Sequence, residues 1–269
     1  MKLYLKYFST PRSAFTLIEI AISLAIIGIA LLAIIGVLPF GMNAQKDNRE
    51  ITVVNQDATV FIEAIRNGAR GLDDLTNYVY AITNYWTLYN ANSTVNTLGV
   101  DGYSYQGSQI TKVGPVPLFR INNGFRIIGL LSTPEFTDVN FNPTNNLFSG
   151  GYSNHVVAYV RSLSGPAVEK PPQDNGLLRD ASFGYRIFCV NAPVATDTNA
   201  LNSPYNKQIA ANLHELRLTF LWPTLPNGNV GSSRQTFRTL IGGEITQTND
   251  LNLGQRLYFY QSQSFTNVP

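Results

Sequence analysis

Cysteine, histidine and charge are what this chain has least of. Its 269 residues include one cysteine, two histidines and only 13% charged side chains. The lone Cys189 excludes an intramolecular disulfide. It alternates with Phe183, Tyr185 and Ile187 in a strand-like run and reads as a buried thiol, because free cysteine is among the most buried residue types. His155 and His214 stand far apart in sequence and are expected to face solvent or to be satisfied by backbone, so the spacing writes neither a metal centre nor a catalytic triad. An enzyme would need His155, His214 and Cys189 to meet in a cleft. No Gly-x-Ser-x-Gly, Walker, Rossmann or His-Glu-x-x-His pattern occurs. Asp138, Asn140 and Asn142 alternate like the opening of a calcium loop, but the glycine is missing, Pro143 intervenes and no glutamate closes the loop. No metal or cofactor is therefore expected. Asn92-Ser93-Thr94 reads as turn composition rather than a glycosylation acceptor. The net charge of +2 is local: residues 1–14 carry Lys2, Lys6 and Arg12 without an acid, leaving 16 basic against 17 acidic side chains elsewhere. That balance offers no basic patch for nucleic acid.

What is present is one long apolar run. Ile20 to Phe40 contains no charge and nothing more polar than Ser23, and its 21 residues span about 31 Å as a helix, the thickness of a bilayer's hydrocarbon core. The basic leader lies before the run, and the other flank (Lys46, Asp47, Arg49, Glu50) is balanced, so the basic-residue bias places the amino terminus in the cytoplasm and the bulk of the chain outside. One acid, Glu19, stands at the edge of the run. A carboxylate near the middle of a span costs roughly 2.5–3.5 kcal/mol, so such a residue needs a role and a partner, and the candidate partner is an amine. A secretory signal would have a shorter apolar stretch and a small-x-small site on its far side, which Gly36 to Ala44 marks poorly. Cutting on the near side, after Ala14, would keep the helix in the product and make Glu19 its fifth residue. In a plain signal anchor, by contrast, Glu19 would only snorkel to the interface.

Phe15-Thr16-Leu17-Ile18-Glu19 ahead of a long apolar helix resembles the amino-terminal signature of type IV prepilins and type II secretion pseudopilins. The resemblance implies that a membrane-embedded prepilin peptidase cuts the Ala14/Phe15 bond and methylates the new amine of Phe15, and that subunits leave the inner membrane and stack with other pilin or pseudopilin subunits through their apolar helices. Where the family prefers glycine before the cut, this chain has Ala14. In this setting Glu19 can neutralise the new amine of its own chain or of a neighbour and so set axial register.

Past the Pro39/Gly41 interruption, Ile51, Val54, Ala58, Phe61 or Ile62, and Ile65 recur at helical spacing and predict an amphipathic helix that ends near Gly68 to Gly71. From Phe15 to about Arg70 the helix would run roughly 80 Å, with a kink or local unwinding at Pro39. With 44% hydrophobic and 12% aromatic residues, the remainder reads as strands and turns. Strands are expected near 78–88, 124–131, 155–163, 182–190, 213–222, 234–241 and 255–260, although Tyr78-Val79-Tyr80 could also begin a helix. Loops are expected at 133–151, 164–180 and 191–207. The best-defined hairpin joins Leu213–Trp222 to Arg234–Leu240 through Asn227-Gly228-Asn229, with Leu216, Leu218, Phe220 and Trp222 facing a core. It resembles the carboxy-terminal hairpin of minor pilins of the PilV type and of I-type minor pseudopilins. Tyr78, Tyr80, Tyr85, Trp86, Tyr89, Tyr103 and Tyr105 would either form a ligand or adhesion surface or pack on a sheet.

The expected protein is thus α+β and pilin-like, a long amino-terminal helix packed on an antiparallel sheet with long loops. Its parts are a cytoplasmic leader (1–14), a transmembrane helix (15–41), an amphipathic helix (42–71) and an exported β-rich domain (72–269). The function implied is a structural, non-enzymatic subunit of a pilus or pseudopilus, minor rather than major. The alternatives are a membrane-anchored envelope binding or adhesion protein that does not polymerise, and an anchored enzyme.

Overall fold

The computed structural model describes residues 15–68, 72–92, 94–104, 119–138, 140–142, 147–164, 183–194, 204–225, 228–250 and 254–267. The leader with Ala14, Ser93 in the middle of the Asn92–Thr94 triplet, the aromatic Tyr105, Pro143, Asn227 of the hairpin turn and most of the expected 164–180 and 191–207 loops lie outside the described residues. Two compact units are present, residues 1–50 and 51–269, and helix α1 (Leu17–Asn67) contributes to both. In the first unit the helix is uninterrupted through Pro39, and its most apolar stretch has no buried residue.

The second unit is a sheet with one strongly buried face. Its path is β10 (Val230–Gly242), β9 (Leu213–Thr224), β8 (Gly184–Pro193), β7 (Tyr152–Arg161), β1 (Val79–Tyr89), β2 (Val95–Ser104) and β3 (Phe119–Arg120), and a short β4 (Phe136–Thr137) also pairs with β7. Every pairing in it is antiparallel except β2 with β3. Strands alternate sides, so register decides what reaches the core. One row across the sheet, Tyr103, Ile82, Ala158, Ile187 and Phe220, is wholly buried. Against this face lie residues of α1 after Glu50, namely Val54, Ala58, Phe61, Ala64 and Ile65. Each large apolar side chain so covered contributes roughly 1.5–3 kcal/mol. Of the expected stripe, Ile62 is only partly buried and Ile51 is exposed, since it stands at the very start of this unit; Val53 and Ala64 are buried as well.

Several expectations are corrected. Residues 124–131 form a helix, α2 (Gly124–Leu131), not a strand. A short apolar run between turn signals has no period that separates the two, and the deciding residue is Asn123, whose Oδ1 accepts from the Arg126 N–H at 3.2 Å as a helix cap. The expected loop at 133–151 carries β4, β5 (Asn140–Asn142) and β6 (Leu147–Ser149), and α3 (Pro204–Asn212) begins within the expected 191–207 loop. Strand β2 was hidden by its glycines, which normally weaken strands. Here they are required: a Cβ on Gly102 would stand 2.2 Å from the Ile82 carbonyl oxygen, and one on Gly99 would stand 2.1 Å from the Trp86 indole. A polar strand, β11 (Glu244–Asn249), pairs with β12 (Arg256–Gln261) in a separate hairpin that covers part of the core. The β9/β10 hairpin has the expected alternation, with Leu216, Leu218, Phe220 and Trp222 buried.

Candidate functional site

The start of α1 is built by four residues, Thr16-Leu17-Ile18-Glu19. The Thr16 N–H and hydroxyl both donate to Glu19 Oε2, at 2.8 and 2.9 Å, and the Glu19 N–H reaches back to Thr16 Oγ1 at 3.4 Å. This is a reciprocal capping box: each side chain satisfies a backbone donor that the first helical turn would leave unpaired. The helix dipole adds to it, since a carboxylate in the first turn faces the positive end. Both bonds land on Oε2, and among the described residues no bond is made to Oε1. Glu19 is therefore held at the helix terminus through one oxygen, which accepts from the N–H of Thr16, the residue after Phe15.

Around this cap every large apolar side chain from Phe15 to Met42 is exposed, including Leu17, Ile18, Ile20 and Phe40. So continuous an apolar surface exceeds anything a water-soluble monomer carries and calls for lipid or other apolar helices. Residues 10–35 match the prokaryotic N-terminal methylation motif. The amino terminus is of the prepilin type. Neither a curated protein nor a solved structure matches the chain. The prepilin-type segment thus joins a processing signature, a capped helix start and an unpartnered apolar span, and it is consistent with the type IV pilin and pseudopilin family. It supports a pilin-like role, membrane anchoring, processing by prepilin peptidase and assembly with other pilin subunits.

The other residues singled out by sequence do not converge. Cys189 is buried on the inner face of the sheet, its Sγ 3.2 Å from the Leu131 carbonyl oxygen, and burial pushes its thiol up. His155, next to Val156 of that inner face, points to the opposite side, where it stacks on Tyr85 with ring centroids 5.1 Å apart and parallel within 8°. His214, expected to face solvent or to be satisfied by backbone, is instead buried on the inner face with Leu216 and packs edge-on to Tyr260, and among the described residues its Nδ1 has no hydrogen-bond partner. The period-two pattern that placed Leu216 inside also places His214 inside. Of the aromatics, Tyr78 and Tyr103 are core residues, while Tyr80 and Tyr85 pack on a small cluster on the outer face. Asp138 of the calcium-like run is paired with Arg256, and among the described residues no group of acids, histidines and cysteines could hold a metal.

Burial lowers the His214 pKa to about 4. The unfolded chain, with an ordinary histidine near 6.5, binds the extra proton first, so this contribution to stability is complete above about pH 6.5 and is lost as pH falls toward 4. The loss is on the order of 3 kcal/mol. His214→Phe, which packs as well against Tyr260 without titrating, should flatten the stability profile over this interval in urea unfolding at several pH values. An unchanged profile would show that His214 titrates normally.

One residue of consequence was missed by sequence reading. Asp57 lies on the buried stripe of α1 and is fully buried. Its Oδ2 accepts from the Leu163 N–H at 2.9 Å and the Tyr185 hydroxyl at 2.8 Å, and its Oδ1 accepts from the Ser164 hydroxyl at 2.6 Å. The carboxylate thus joins the helix to β8 and to the end of β7. The available signal was an acid three residues after Val54 and four before Phe61, inside an apolar helical stripe.

Proposed function

We propose that the protein is a structural subunit of a type IV pilus or type II secretion pseudopilus, cut between Ala14 and Phe15, methylated at Phe15 and assembled through α1. It is a scaffold and not an enzyme. The observation that carries this reading is the coincidence of the methylation motif with a capped helix whose apolar faces are all unpartnered. Before assembly the helix spans the inner membrane with the amino terminus in the cytoplasm and the β-rich domain in the periplasm, the arrangement favoured by Lys2, Lys6 and Arg12. A helix apolar on every face suits lipid first and neighbouring helices afterwards. A bend at Pro39, which lacks the amide hydrogen for one helical bond, belongs to this proposal and would help the helix pack among neighbours.

Within that class we favour a minor subunit. Its large domain and long inter-strand segments are harder to repeat at every step of a filament than at a rare or terminal position. The β9/β10 hairpin, resembling that of PilV-type minor pilins and I-type pseudopilins, supports the same choice. The test is intact-mass analysis of the protein from its native membrane. The expected product begins at Phe15 with a methylated amine, and only the full precursor is expected when prepilin peptidase is deleted. A mature chain that begins at Met1 or beyond Ala44 overturns the proposal.

A further inference from the structure

We propose that the cavity at the polar end of the inner sheet face, where Asn84, Trp86 and Gln255 present unpaired buried groups, is a binding site for a neutral sugar. The sheet's own registry makes this place. The row through Ile82 is wholly apolar; the next row pairs Asn84 with Asp101, and the one after it pairs Trp86 with Gly99 and with Asn154. The inner face therefore turns from oily to polar along β1. There it borders a cavity of about 380 Å³, closed from the other side by the start of β12 and by Gln255, and within the size range of small-molecule sites, roughly 300–1,000 Å³.

The polar groups in this cavity are left unsatisfied. Asn84 and Gln255 are only 7% and 6% exposed. Asn84 Nδ2 donates to Asn154 Oδ1 at 3.1 Å, but among the described residues Asn84 Oδ1 accepts nothing, neither Nε2 nor Oε1 of Gln255 has a partner, and the Trp86 indole N–H makes no hydrogen bond. Four such atoms in one place call for a partner from outside the chain, water or a ligand.

The mixture of groups selects the ligand. Two acceptors and two donors stand together, and a hydroxyl both donates and accepts. An ammonium ion would satisfy the two amide oxygens and leave the Trp86 and Gln255 donors unpaired. An anion would satisfy the donors but meet the Asp101 carboxylate, and the cation nearby, Arg256, is already paired with Asp138 and laid over the Tyr152 ring at 5.6 Å. A neutral compound with adjacent hydroxyls meets all four requirements. Burial also pushes the Asp101 carboxyl up, with the neighbouring indole pulling the other way without reaching hydrogen-bond geometry. Flat apolar surface is supplied as well: the Trp86 indole is backed by the bare Gly99 backbone and met edge-on by Tyr152 at 5.6 Å, a surface suited to the C–H face of a pyranose ring.

The test is saturation-transfer NMR on the full-length chain in a zwitterionic detergent without a sugar headgroup. The probes are glucose, galactose, mannose and N-acetylglucosamine, with methylammonium and methyl phosphate, each observed by its methyl protons, as separate arms. At least one sugar should receive saturation, and Asn84→Leu and Gln255→Leu should each weaken its binding about tenfold or more. Gln255→Leu should also raise the unfolding temperature of the free protein, because it removes an unpaired buried amide; this readout shows that lost binding is not lost folding. Trp86→Phe, which keeps a ring but no N–H, should weaken binding several-fold. The inference is overturned if no sugar is saturated, if only methylammonium or methyl phosphate binds, or if sugar binding survives both leucine variants unchanged.

Discussion

Replacing Glu19 with alanine or with glutamine is expected to leave the precursor cleaved after Ala14 but to cut its incorporation into filaments at least about tenfold, the factor that 1.4 kcal/mol of lost pairing corresponds to. The two variants separate the two things Glu19 can do. As a helix cap it accepts from Thr16, and a glutamine at the same position keeps an acceptor there, since capping boxes use either residue. As a counter-charge for a freshly cut Phe15 amine, which is cationic at neutral pH, only the carboxylate serves. The geometry makes both roles compatible, because the cap occupies Oε2 alone and leaves Oε1 for an amine of the same or a neighbouring chain. Loss of a cap costs about 1 kcal/mol and would weaken the first turn in the membrane and the filament alike, whereas loss of the charge pair acts only where an amine approaches in a dry environment. Measuring the ratio of filament to membrane-pool protein decides the matter. Glutamine assembling as well as glutamate would reduce Glu19 to a cap and remove the register role.

Asp57→Ala is expected to destabilise the β-rich unit by about 3–5 kcal/mol, since the Leu163 N–H, the Tyr185 hydroxyl and the Ser164 hydroxyl would be left unpaired at a buried site and each such group costs about 1–3 kcal/mol. The checking measurement is urea unfolding of the full chain, with the midpoint falling at constant slope. Its pH dependence carries a sign. Burial raises the Asp57 pKa above its ordinary value, although its three donors pull it down in part. A group raised in the folded state contributes its full stability below the unfolded value and loses it as pH climbs through the folded one. Asp57→Asn should remove that pH-dependent part, and a wild-type profile in this variant would mean that the carboxylate is not the titrating group. His214 acts in the opposite direction, losing stability as pH falls from about 6.5 toward 4, so above the ordinary carboxylate range the two slopes oppose and partly cancel.

How far the sequence could be read depended on whether a feature is local. The prepilin-type motif was legible, because a pentapeptide and an apolar span are consecutive residues whose chemistry needs no tertiary contact. The strands at 79–89, 152–161, 184–193, 213–224 and 230–242 were legible because alternation survives in any half-buried strand. Gly124 to Leu131 was misread because apolar on all sides is the signature of burial, not of helix or strand, and both are buried the same way. Strand β2 was missed because Gly99 and Gly102 serve neighbours, Trp86 and the Ile82 carbonyl, that sequence does not place beside them.

What the sequence determined alone is the prepilin-type amino-terminal motif and that one run of residues cannot rest in water. What only the tertiary structure decided is the set of polar groups kept inside. Asp57, His214, Asn84 and Gln255 are ordinary in sequence and costly in place, and whether a buried polar atom finds a partner depends on strands and helices brought together from as far as 70 and 128 residues away. Periodicity reports which side of an element is covered; it does not report by what.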